Sequence, residues 1–114
     1  MPLRPNPLKL NPLQAKALAI LQELAKAPSY ASPPDADGTV AIRYLPEPHG
    51  DHFHVGAAVV RSSDATGLFN PSVYGALARK GLVLPGPRGL PMLTAAGLAY
   101  DTGLADRILH RPDH

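Results

Sequence analysis

The sequence predicts an α+β fold, mainly α: a three-helix core carrying one β-hairpin and an extra C-terminal helix. Three observations predict it. Asn11-Pro12 and Asn70-Pro71 each open a stretch with apolar residues at helical spacing. Leu82-Val-Leu and Met92-Leu-Thr flank Pro85-Gly-Pro-Arg-Gly89, which reads as two short strands around a turn-rich loop. Thr94 then stands ahead of a segment rich in alanine and leucine that runs to Leu109.

In chain order, residues 1–10 hold prolines at 2, 5 and 7, which favours an extended arm. From Asn11 a helix is expected. Asn11 caps it, Pro12 takes the first helical position, and Gln14 reaches back to the cap. Leu13, Ala17, Ile20, Leu21 and Leu24 share a face, and Pro28 stops the helix. Pro28 to Gly38 is a loop by composition, Thr39 to Leu45 a strand, and Pro46 to Asp51 a turn.

His52 to Ser63 supports two readings. Phe53, Val55, Ala57 and Val59 alternate as in a strand, whereas Val55, Ala58 and Val59 make a short helical stripe. Helix is the favoured reading, because Asp51 can cap it and the alanines suit it. A helix here would complete a helix-turn-helix; a strand would give a different α+β domain and remove most of the functional case.

Asn70 to Gly81 is a capped helix with Val73, Ala76 and Leu77 inward and Gly81 as its left-handed terminator. The hairpin follows. A closing helix over Ala95 to Leu109, interrupted by Gly97 and Gly103, completes a domain spanning residues 11–110, with a short tail at 111–114.

With 114 residues, the chain has the length of one domain and needs no staples to hold a core. It has no cysteine, which excludes disulfides and thiolate metal ligation and suits a reducing, cytoplasmic setting. No run approaches the roughly 20 apolar residues of a membrane span, and the proline-broken start is unlike a signal peptide. A net charge of +2 identifies no partner, but its distribution is uneven. Between Ala65 and Tyr100 the only charged residues are Arg79, Lys80 and Arg88.

The stretch Ser72-Val-Tyr-Gly-Ala-Leu-Ala-Arg-Lys-Gly-Leu-Val83, followed by Leu93-Thr-Ala-Ala-Gly97, resembles the recognition-helix-to-wing segment of MarR- and PadR-type bacterial regulators. The tight resemblance covers about 28 residues, and the element order extends it over most of the chain. It implies a winged helix-turn-helix fold, double-stranded DNA as partner, a role in transcription regulation, and a homodimer. Residues Asn70, Ser72, Tyr74, Arg79, Lys80 and Arg88 are the DNA-binding candidates. A helix fits the major groove, and a cation at the hairpin tip meets a phosphate or a narrow minor groove. The helix holds one Asn, no Gln, and Gly75 where a long side chain would project, so sequence specificity is expected to be modest. The near-neutral charge and bare Gly75 face leave a protein-interaction module as the alternative.

A second alternative is a metal sensor. On a strand, His52 and His54 would share a face, and His49 or Asp51 could complete a zinc site; on a helix they point apart. A solvated turn explains the same residues, so no metal, cofactor or small-molecule ligand is assigned. No strained nucleophile turn or Gly-Lys-Ser/Thr loop is present, so no enzyme is expected.

Overall fold

A computed structural model describes residues 7–110 of the chain. Residues 1–6 of the expected arm and the whole tail, 111–114, lie outside the described residues. The centre of the molecule is α1 (Pro12–Ala25), whose Ala15, Ala17, Leu18, Ala19, Ile20, Leu21 and Leu24 are all buried. A helix apolar on most sides must be covered on most sides, and here the other helices and one strand from each of two small sheets pack around it. Its start follows the sequence rule closely. The Asn11 side chain accepts from the Gln14 backbone N–H at 2.8 Å, and the Gln14 side chain accepts from that of Asn11 at 3.2 Å.

Two small antiparallel sheets lie against α1. One has the order β1-β6-β5, from β1 (Val40–Ala41), β5 (Val83–Pro85) and β6 (Pro91–Leu93). Val83 and Val40 both pair with Leu93, so the hairpin's second strand is central and the earlier strand closes its far edge. The other sheet is a meander of β2 (Pro48–His49), β3 (His52–Val55) and β4 (Ala58–Arg61). The fold is therefore α+β with more strand than expected.

The meander corrects the helix expected at 52–63. Phe53, Val55, Ala58 and Val60 are buried and their neighbours are not, which is the period-two pattern of a half-buried sheet. The alternation changes phase because two residues, Gly56-Ala57, form the hairpin loop, with Gly56 at φ 59°. Gly50 at φ 64° does the same between β2 and β3. Two tight turns thus outcompete the modest helix propensity of the alanines. In place of the expected helix, two short 3₁₀ turns, Ser62–Asp64 and Thr66–Phe69, lead into α2 (Pro71–Arg79). Lys16 and Asp64 pair at 3.0 Å, tying the first turn to α1.

α2 ends as expected. Gly81 adopts φ 76°, Leu82 N–H donates to the Leu77 carbonyl at 3.0 Å, and Gly81 N–H donates to Ala78 at 3.0 Å.

The closing helix is a second correction. It is two pieces, α3 (Ala95–Ala99) and α4 (Ala105–Ile108). Between them the Asp101 side chain accepts from Gly103 N–H at 2.9 Å and Thr102 Oγ from Leu104 N–H at 3.2 Å. Such local side-chain bonds offer the backbone an alternative to the helix, and Gly103 at φ 73° turns the chain. Ile108 and Leu109, expected on a helix that could form a dimer seam, are buried in the chain's own core.

Gly97 explains how α3 seats. A Cβ there would stand 2.0 Å from the Leu82 carbonyl oxygen, so only glycine allows this approach. Thr94 caps the helix by accepting from Gly97 N–H at 3.0 Å and donates to the Gly81 carbonyl at 2.8 Å. From α1, the Gln22 amide donates to the Gly97 and Tyr100 carbonyls at 2.8 and 2.7 Å. No helix among the described residues is long and apolar enough to cross a membrane.

Candidate nucleic-acid interface

The candidate surface is built from α2 and the β5–β6 hairpin that follows it. Its six sequence-selected residues divide into two sets. Asn70, Tyr74 and Lys80 direct their polar groups into the protein. The Asn70 carboxamide oxygen accepts from Ser72 N–H at 2.9 Å, the cap that starts α2. The Tyr74 hydroxyl donates to the Leu68 carbonyl, and burial pushes the phenol up to about 12. The Lys80 ammonium donates to the carbonyls of Leu8 and Lys9 at 2.6 and 3.3 Å, strapping the start of the described chain to the end of α2. Its charge therefore faces the protein.

Ser72, Arg79 and Arg88 are exposed. Ser72 lies in the first turn of α2 and Arg79 in the last. Arg88 sits at the hairpin tip, inside a short 3₁₀ turn (Pro87–Gly89), at φ 61°. Two left-handed residues, Arg88 and Gly89, and a close backbone approach at Gly86 shape this tip. A Cβ on Gly86 would stand 2.4 Å from the Leu90 carbonyl oxygen, and Gly89 has φ 74°.

Two depressions flank the tip. On the α2 side an apolar groove of about 230 Å³ runs between Pro71, Tyr74, Gly75 and Ala78 of the helix and Leu84 and Leu90 of the hairpin. Leu84 keeps 43% of its surface exposed there. On the other side a more polar depression of about 270 Å³ is lined by Arg43, Tyr44, Arg88 and Leu90. The Arg43 guanidinium lies 5.9 Å from the centroid of the Tyr44 ring, which remains half exposed. Sequence reasoning missed both residues. The signal was the strand pattern itself: with Val40 and Ile42 inward, Arg43 falls on the outer side of Thr39–Leu45.

The histidines of the meander form a separate cluster. His49 and His52 are cross-strand partners, and His54 follows two residues along β3 on the same face. The Asp51 carboxylate lies 3.2 Å from His52 Nδ1, and this hydrogen bond is the main cause holding the carboxyl below its usual range.

No family model matches the chain, and no curated protein or solved structure matches it either.

Proposed function

We propose that the chain is an α+β domain that binds the backbone of double-stranded DNA through α2 and the β5–β6 hairpin, with modest sequence specificity, as a regulator or accessory factor. The meander at 48–61 removes the helix-turn-helix and with it most of the sequence argument, so the proposal rests on α2 and the β5–β6 hairpin alone. The observation that carries it is the charge of this unit. From Ala65 to Tyr100 the chain has no acidic residue, and Arg79 and Arg88 are exposed. Arg43 joins Arg88 at the tip, giving three cations on the helix, the hairpin and the strand beside it. The sheet order β1-β6-β5 supports the reading, because it sets the strand leading into Arg43 beside the hairpin that carries Arg88.

Phosphate contacts supply sequence-independent affinity, while base-edge contacts supply specificity. The middle of α2 offers Gly75 and Ala78, neither of which reads a base edge, so backbone contact dominates. Three neutralised phosphates imply a log–log salt slope near −2.7, or about 40-fold weaker binding between roughly 50 and 200 mM salt. Fluorescence anisotropy with an arbitrary duplex of about 25 base pairs tests this. Arg79→Ala and Arg88→Ala should each flatten the slope by about 1 on any sequence. Absence of binding at low salt would refute the proposal.

The apolar groove favours one second reading, a module that docks an apolar segment of another protein between α2 and the hairpin. Under that reading Leu84→Asp abolishes partner capture while the two arginine variants leave it unchanged.

A further inference from the structure

The three histidines of the meander do not make a metal centre, because among the described residues no group of three His, Cys, Asp or Glu side chains could hold a metal ion. The tip of the β5–β6 hairpin offers a different site. We infer that the depression beside it binds one unpaired nucleotide of a DNA strand, with Tyr44 stacking the base and Arg43 and Arg88 taking the neighbouring phosphates. The inference rests on the nucleic-acid reading above, since it uses two of the same cations. It adds the kind of DNA preferred: an end, gap or overhang rather than an uninterrupted duplex.

The depression holds about 270 Å³ between Ile42, Arg43 and Tyr44 on one side and Arg88 and Leu90 on the other. Pockets for drug-sized ligands begin at about 300 Å³, so there is room for one flat ring with its phosphate and little more. The platform under it is fixed. Ile42 is buried, its N–H donates to the Pro91 carbonyl at 3.1 Å, and it bridges to Ala31. The next two N–H groups, those of Arg43 and Tyr44, both donate to the Tyr30 carbonyl, at 2.7 and 3.3 Å. The backbone of Tyr44 is thereby held while the residue stays 51% exposed.

The chemistry of the lining selects the ligand. At 5.9 Å from the ring centroid, the Arg43 guanidinium stands at the outer limit of a cation–π contact and well beyond the roughly 3.5–4.0 Å of flat stacking. It flanks the Tyr44 ring without covering it. No carboxylate lines the depression, and among the described residues neither Arg43 nor Arg88 forms an ion pair. Two guanidiniums without an acidic partner, beside an open aromatic ring, match an anion joined to a flat ring. The planar fork of arginine suits phosphate, and every base has a π face, so the site accepts any sequence. In a duplex each base is stacked inside the helix, so only an unpaired one can lie on Tyr44.

Fluorescence anisotropy of the full chain at low salt with three DNAs tests this. They are a blunt duplex of about 25 base pairs, the same duplex extended by about four unpaired thymidines, and one extended by as many abasic sites. The two extensions carry the same phosphates and differ only in their bases. Stacking one base on an aromatic side chain corresponds to about 5- to 140-fold in affinity, so the thymidine extension should bind about fivefold or more tightly than the abasic one. Tyr44→Ala should make the two equal, and Tyr44→Phe, which keeps the ring, should retain the difference. Circular dichroism of both variants should match the parent, because Tyr44 lies outside the core. The parent's own comparison of thymidine with abasic DNA holds whatever Tyr44→Ala does to the fold. Equal binding of the two extended DNAs by the parent overturns the inference, and if the blunt duplex binds too, the backbone reading survives. Binding of the thymidine-extended DNA with none of the blunt duplex supports the stacking site and refutes the duplex reading. No binding of any of the three overturns both. Thymidine 5′-monophosphate bound as tightly as the extended duplex would make a free nucleotide the ligand and overturn the strand assignment.

Discussion

The same chemical change at two glycines should move stability in opposite directions. Gly97→Ala places a methyl 2.0 Å from the Leu82 carbonyl oxygen, 3.0 Å from its carbon and 3.3 Å from Leu93 Cδ2. Ordinary van der Waals contact begins at 3.4 Å, so α3 must retreat by more than an ångström. It cannot retreat alone, because the Thr94 cap and both Gln22 bonds hold it. Overpacking of this kind costs about 1–3 kcal/mol, and a weakened cap adds about 1, so we expect a loss of about 3 kcal/mol. Gly75→Ala, by contrast, meets only the mobile end of Arg79, at 3.6 Å, in a helix interior. It should add about 0.5–1 kcal/mol. Both substitutions reduce unfolded-chain freedom equally, so that contribution cancels between them. Thermal melts followed by circular dichroism give the readout. At about 4–8 °C per kcal/mol, Gly97→Ala should melt about 12–24 °C lower and Gly75→Ala about 2–8 °C higher. If Gly97→Ala melts within about 3 °C of the parent, the close approach of α3 to Leu82 is wrong.

Further outcomes follow from other named contacts. Tyr74 has a folded pKa of about 12 against 10.0 when solvated, so the fold favours the neutral phenol. Its stabilising contribution is complete below pH 10 and is lost as pH rises through 12. After discounting for the ring's partial exposure the loss is about 1–2 kcal/mol. Urea melts at about pH 9 and 11.5 should show that Tyr74→Phe is the less pH-sensitive protein; equal sensitivity would place the phenol in water. Asn70→Ala removes the α2 cap and should lower stability by about 1 kcal/mol, read as a lower urea midpoint with an unchanged slope. The salt slopes of the arginine variants complete the set.

Much of the fold was legible in the residues because it is fixed by local chemistry. Asn11 with Gln14, Asn70 with Pro71, Gly81 and Thr94 each satisfy backbone groups within four residues of themselves, and each does so in the structure. The hairpin around Pro85–Gly89 was legible for the same reason. Segment 52–63 was not, since Val-Gly-Ala-Ala reads equally as a helix entry or a two-residue turn. There the outcome depends on burial of Phe53, Val55, Ala58 and Val60 against α1, a partner about 30 residues away in sequence.

Of the candidate interface, the sequence located the charges but not their directions. Arg79 and Arg88 face solvent, whereas Lys80, next along the chain from Arg79, turns onto the Leu8 and Lys9 carbonyls. No spacing rule distinguishes two adjacent cations, because the acceptor that draws one inward lies about 70 residues earlier. Arg43 enters the surface through β1–β6 pairing, a contact between distant segments. The histidine cluster followed the same logic, since His49, His52 and His54 share a face only once the meander's register is set. By itself the sequence determined caps, turns, core candidates and the acid-free stretch, all short-range or compositional properties. Tertiary structure alone decided strand against helix at 52–61, the outward or inward course of each cation, and the gathering of the imidazoles. Those depend on burial and register, and both are properties of pairs of segments far apart along the chain.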